Sequence, residues 1–188
     1  IPFLSWLRSF QKIVFIGNLS AALLAVWPFF AILLYYYQPT SIEELERHKD
    51  HFAVIFAHAS FLFLLILIRE LIKDLENLKG DLANNYHTIP VFYGENWSKR
   101  ISTGLTVLTL VPVYILIELY DVGYMDIYFY SSLIVLLFFL LLLWQSNNKP
   151  HYIRLHNILK FLIVAGVFCI VLINPSVLWH GKNWLLKQ

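Results

Sequence analysis

Cysteine and methionine are almost missing from this chain. Cys169 stands alone inside an apolar run, which excludes an intrachain disulfide and a thiolate metal cluster. Met125 is the single methionine and the first residue is Ile1, so the sequence reads as a fragment or a processed product. Charge is scarce as well: Asp, Glu, Lys and Arg make up 14% of 188 residues, against about 25% in soluble globular proteins. The basic residues form no extended stripe, which argues against a nucleic-acid partner.

What replaces charge is apolar length. Hydrophobic residues make up 59% of the chain and aromatics 17%. Uncharged runs of about 18 residues or more read as membrane helices. Five such spans are expected, at about 13–37, 51–68, 101–117, 127–144 and 159–179. The fold class is an all-α polytopic transmembrane bundle, with residues 1–188 in a single membrane domain surrounded by lipid. Pro28 is expected to kink the first span, and Gly17, Asn18 and Ser20 allow close packing or an interhelical hydrogen bond.

Between the spans lie polar segments at 38–50, 82–100, 118–126 and after 144. In the first, His48 and His51 have an i,i+3 spacing open to a metal, but surface residues are the simpler reading. His58, inside the second span, reads as a packed, hydrogen-bonded histidine. The connector 82–100 is expected to hold a short amphipathic helix before Pro90, with turn chemistry at Asn84-Asn85 and Gly94. Asp121 and Asp126 read as solvated loop charges. Residues 1–12 read as an interfacial segment, with Trp6 and Phe10 at headgroup depth.

The most informative stretch is Arg69 to Gly94, RELIKDLENLKGDLANNYHTIPVFYG. At ~100° per residue, Glu70, Asp74, Asn77 and Asp81 fall in a narrow arc on one helix face. Glu70 and Asp74 repel at i,i+4, and acids near a helix C-terminus oppose its dipole. Helix stability does not account for them; a bound cation would. The plainer alternative is a solvated, salt-bridged helix end, since Glu70/Lys73, Lys73/Glu76 and Glu76/Lys79 are all i,i+3 pairs.

Lys73-Asp74, then Asn77 and Asp81, then Thr88, Pro90 and Gly94 resemble the second aspartate-rich motif of the UbiA family of intramembrane prenyltransferases. The Arg69-Glu70 and Lys73-Asp74 pairs, with Phe15-Ile16-Gly17-Asn18, look most like the branch that prenylates geranylgeranylglyceryl phosphate. Asn77 stands where that family's first D-x-x-x-D aspartate usually lies.

The resemblance implies Mg²⁺-dependent transfer of a prenyl group from an allylic diphosphate to a lipophilic, membrane-associated acceptor. Geranylgeranylglyceryl phosphate and a quinone precursor are both compatible acceptors. It implies Asp74 and Asp81 as catalytic residues, and Asp74, Asn77 and Asp81 as metal-binding ones. Arg69, Lys73 and Lys12 would hold the diphosphate. The family's first motif, N-D-x-x-D, does not occur in the sequence. The chain is therefore expected to be the C-terminal part of a nine-helix fold, inactive without the missing N-terminal helices.

Alternate loops place ten Lys and Arg residues on the side of the acidic motif and four on the other. By the positive-inside rule the motif faces the cytoplasm. Two other classes remain: a non-catalytic membrane protein derived from the family, and a transporter. Acids clustered at a helix end, away from mid-bilayer, argue against the transporter.

Overall fold

The computed structural model describes residues 16–36, 42–120 and 125–169. Every regular element among them is helical. Helix α1 is Ile16–Tyr36, and Pro28 lies inside it without ending it. Helix α2, Ile42–Ala83, is 42 residues long, about 63 Å at 1.5 Å per residue. That is about twice the hydrocarbon thickness of a bilayer, so its polar ends extend beyond the apolar slab.

A loop was expected over 38–50, but α2 already begins at Ile42. The Glu, Lys and Arg residues there are good helix formers, and neither glycine nor proline intervenes. The pair His48 and His51 falls on this stretch, where side chains lie outside the described residues, as do the whole interfacial segment 1–12 and Asp121.

The end of α2 is built by a backbone motif. Asn85 adopts a left-handed φ of 55°. Its N–H reaches the Leu82 carbonyl at 3.4 Å, and the Tyr86 N–H reaches the Asp81 carbonyl at 2.9 Å. These are the two bonds of a Schellman cap, and asparagine is one of the few residues that enters this conformation readily.

The short helix in the connector does not precede Pro90 but contains it. Helix α3 is Ile89–Tyr93, with Pro90 in its first turn, where a missing N–H costs nothing. Gly94, at φ 88°, donates its N–H to the Pro90 carbonyl at 3.1 Å and accepts the Ser98 N–H at 3.2 Å. One glycine in a conformation that side chains disfavour thus closes α3 and opens the next helix.

That helix, α4, is Glu95–Leu108, so the third span starts six residues before its expected Ile101. It breaks at Thr109, whose N–H is shared between the Leu105 and Thr106 carbonyls. It continues as α5, Leu110–Tyr114 with Pro112 inside, and a π-helical turn over Ile115–Leu119. Helix α6 is Met125–Gln145, and α7 is Lys149–Cys169. The polar loop expected around Lys149, His151, Arg154 and His156 is in fact the first two turns of α7. Pro150 at its start explains why, since proline is favoured in a first turn.

Four of these helical stretches are long and apolar enough to cross a membrane: Phe52–Ala83, Glu95–Leu119, Met125–Gln145 and Lys149–Cys169. The first expected span falls on α1, of which Ile16–Ala31 is an apolar stretch among the described residues. The chain is thus a multi-pass α-helical membrane protein.

Helix α2 is the central post, packed on both α1 and α7. Phe61, Leu65, Ile68, Ile72 and Leu75 recur at alternating spacings of four and three and are buried. They meet Phe129, Leu136 and Phe139 of α6 and Leu155, Leu159 and Leu162 of α7. In lipid there is no hydrophobic drive between helices, so close fit and interhelical hydrogen bonds must hold them. The Tyr128 hydroxyl donates to the Leu162 carbonyl at 3.0 Å. Gly166 makes room for it, since a Cβ there would lie 2.5 Å from that hydroxyl.

Candidate functional site

The last turns of α2, before the Schellman cap, carry the acidic edge. Glu70 is buried at 9% exposure, with one carboxylate oxygen 2.7 Å from the Arg69 guanidinium and the other 3.0 Å from the Lys73 ammonium. A turn later, Asp74 accepts a 2.7 Å hydrogen bond from the Asn18 carboxamide of α1. Two turns beyond that, Asp81 accepts from the Thr88 hydroxyl at 3.3 Å, from the residue that begins α3. The phasing of the sequence is therefore realised: Glu70, Asp74 and Asp81 share one edge.

The expected site residues divide into three groups. Asp74 and Asp81 are both held by neutral donors, which orient a carboxylate without cancelling its charge. Arg69 and Lys73, the expected diphosphate ligands, both contact Glu70 and so lie beside the edge with it. Asn77 is half-buried between the two aspartates in sequence, with no hydrogen bond among the described residues. Lys12 lies outside the described residues.

Among the described residues, no three His, Cys, Asp or Glu side chains converge to hold a metal ion. The donor set on the edge is still of the kind Mg²⁺ uses. That ion takes one or two carboxylates and completes its shell with water and substrate phosphate, with no need of a protein cage. Asp74 and Asp81 are seven residues apart, about 10.5 Å of helix rise.

The other flank of the same turns is built differently. Glu76 pairs with His156 of α7 at 3.1 Å, and not with Lys73 or Lys79 as i,i+3 spacing allowed. Glu95, at the start of α4, is bound by Lys99 at 2.9 Å and by the Tyr152 hydroxyl at 2.5 Å. Lys99 is only 3% exposed and also donates to the Ser146 carbonyl at 2.5 Å and to Asn147 Oδ1 at 3.2 Å. A lysine has three donors, and this one has three acceptors, which is what makes its burial tolerable. The network pins the start of α4 to the turn between α6 and α7. It thereby fixes Gly94 and α3, and with them Thr88 beside Asp81.

In the sequence Lys99 is one of the ten basic residues counted on the side of the acidic motif, and nothing singles out Glu95 or Tyr152. The i,i+4 spacing of Glu95 and Lys99 was the available signal. For Asn18 close packing or an interhelical hydrogen bond is expected, and it makes such a bond to Asp74 of α2, a partner 56 positions away that no local pattern names. His58 differs from expectation in one respect. It is packed at 4% exposure, with the rings of Phe29 and Phe129 at centroid distances of 6.1 and 6.0 Å, but neither ring nitrogen has a hydrogen-bond partner.

Comparison with known proteins bears on this geometry. The model of the UbiA prenyltransferase family matches residues 8–155. Three curated relatives carry the name digeranylgeranylglyceryl phosphate synthase. The protein of Methanopyrus kandleri is 44% identical over 64 residues, covering 30% of this chain and 24% of the relative. That of Methanosphaera stadtmanae is 32% identical over 69 residues, covering 36% and 25%. That of Methanobrevibacter smithii is 29% identical over 69 residues, covering 36% and 24%. The chain thus spans about a quarter of the length of the curated relatives it matches. No solved structure matches it.

Proposed function

This chain belongs to the UbiA prenyltransferase family, and from that premise we propose that it moves a prenyl group from an allylic diphosphate to a membrane-associated acceptor. The observation that carries the reading is the acidic edge, where neutral hydrogen-bond donors hold Asp74 and Asp81 in place. In such a transfer the bond between the allylic carbon and the diphosphate oxygen breaks, and the electron pair leaves with pyrophosphate. The acceptor oxygen takes the carbon and gives up its proton.

Asp74 and Asp81, with Asn77 between them, would hold Mg²⁺. Bound there, the ion would offset the negative charge that develops on the departing pyrophosphate. Arg69 and Lys73 would approach its oxygens from the same edge, the guanidinium by its planar fork. Aromatic faces among the helices would stabilise positive charge on the allyl group. That three relatives are digeranylgeranylglyceryl phosphate synthases supports a glyceryl phosphate ether as the acceptor.

The distribution of ten basic residues on the motif side against four opposite supports a cytoplasmic active site. We further propose that this chain supplies the C-terminal part of the fold, with N-D-x-x-D provided by helices outside it. The chain alone should then be inactive, and prenyl transfer by the purified chain would refute that.

The test is Mg²⁺-dependent pyrophosphate release from geranylgeranyl diphosphate by the full gene product in liposomes, across a panel of acceptors. Activity with one acceptor that is lost in Asp81→Ala supports the reading. A folded protein inactive with every acceptor would favour the non-catalytic alternative and make Asn77→Asp the next variant.

A further inference from the structure

The acidic edge looks toward Asn18 of α1, while the flank of the same turns that carries Glu76 and Gly80 borders a separate space. A cleft of about 310 Å³ lies between the end of α2, the start of α4 and the turn leading into α7. Glu76, Glu95, Lys79 and Lys149 all line it, so its formal charge balances. Lys99, outside the lining, meets the charge of Glu95 and tips the balance toward the two lysines. Glu95 is already held by Lys99 and Tyr152, and Glu76 by His156. Lys79 and Lys149 are exposed and have no acidic partner among the described residues.

The neutral groups lean the same way. Asn147 turns its carbonyl oxygen to Lys99, leaving its two N–H donors for the cleft. Asn77 and Asn148 add two more carboxamides to the lining. Gly80 keeps the wall low: a Cβ built there meets nothing within 4 Å. What remains unengaged is two ammonium groups and a set of amide donors, which suits an anion with several acceptor oxygens. The volume is at the low end of the ~300–1,000 Å³ usual for ligand pockets, enough for a headgroup and not for a whole lipid. Its place at the polar end of the α2 span is where a lipid headgroup would sit.

We propose that this cleft binds the phosphate monoester headgroup of a lipid. Lys79 and Lys149 are its ion partners, and Asn77 joins it to the acidic edge. Identifying that lipid with the prenyl acceptor rests on the proposed function; the phosphate site itself does not.

The test measures equilibrium binding to the full gene product in detergent. The three probes are a glyceryl ether lipid bearing a phosphate, the same ether without it, and inorganic phosphate. The phosphorylated lipid should bind at least roughly tenfold more tightly than either other probe, one such factor being the scale of a single charge-assisted bond to phosphate. That preference should disappear in Lys79→Gln/Lys149→Gln. It should also disappear in Gly80→Leu, which fills the wall without altering charge. Lys160→Gln, an exposed lysine three turns further along α7, should bind as the wild type does, and circular dichroism should show native helix content in all variants.

Equal binding of both ethers, or no effect of the two-lysine variant, would overturn the proposal. Inorganic phosphate binding as tightly as the phosphorylated lipid would overturn the lipid assignment. If the binding pattern holds but no prenyl transfer occurs, the proposed function fails alone. If transfer occurs and the lysine variants bind and react normally, the cleft proposal fails alone.

Discussion

The two flanks of the last turns of α2 carry acids in two different states. On one, Asp74 and Asp81 are held by an asparagine amide and a threonine hydroxyl. On the other, Glu76 is held by His156, and the neighbouring Glu95 by a buried lysine and a tyrosine. Neutral donors fix the direction of a carboxylate and leave its charge for something else. The Lys99 ammonium meets the charge of Glu95, and the His156 ring ties Glu76 to α7, so both acids serve as structural links. Counting acids in the sequence cannot separate these cases, but their partners do. Glu70 belongs with the second kind, although it lies on the first edge.

The comparison can be broken most severely at Lys99. Replacing it with alanine leaves the Ser146 carbonyl and Glu95 without their buried cation. The expected loss is about 3–5 kcal/mol, as for other broken buried pairs. Thermal unfolding in detergent would read it, and a loss under ~1 kcal/mol would show that the network does not anchor α4. Tyr152→Phe removes a single hydroxyl from the same network and should cost about 1–2 kcal/mol by the same measurement.

On the other flank, Asn18→Ala should lower stability by only about 1 kcal/mol, the scale of one part-buried hydrogen bond between side chains. Its effect should appear in function, as a raised Mg²⁺ requirement with activity restored at high Mg²⁺. Loss of activity at every Mg²⁺ concentration, with the fold intact, would give Asn18 a different role. The smallest expected effect is that of Glu76→Gln, which retains a hydrogen-bonding side chain toward His156. Stability should fall by less than about 1 kcal/mol, as for most surface or half-exposed pairs.

Much of this architecture was legible in the sequence because it depends on local rules. Uncharged length gave the spans, and 100° phasing gathered Glu70, Asp74 and Asp81 on one edge. Asn84-Asn85 marked the cap, and the Thr88, Pro90 and Gly94 spacing acquires a physical meaning: a start, a first turn and a stop for α3. Loss of hydropathy, however, marks the membrane's edge and not the helix's end. That is why 42–50 and 149–156 were read as loops and proved helical. Long-range partners left no local signature either. Asn18 with Asp74 and His156 with Glu76 join residues 56 and 80 positions apart. Lys99 entered only a count of charges by membrane side, which carries no information about its burial.

The most direct test of the account sets one acid from each flank against the other. Mg²⁺-dependent pyrophosphate release by the full gene product would be measured in Asp74→Asn and in Glu76→Gln, both neutralised without loss of size. The account predicts a fall of roughly 10²–10³-fold for Asp74→Asn, the scale of removing one electrostatic stabiliser of a developing charge. Glu76→Gln should stay within about threefold of wild type. Equal losses in the two variants, or a larger loss for Glu76→Gln, would contradict the claim that an acid's partner decides whether its charge is available for catalysis.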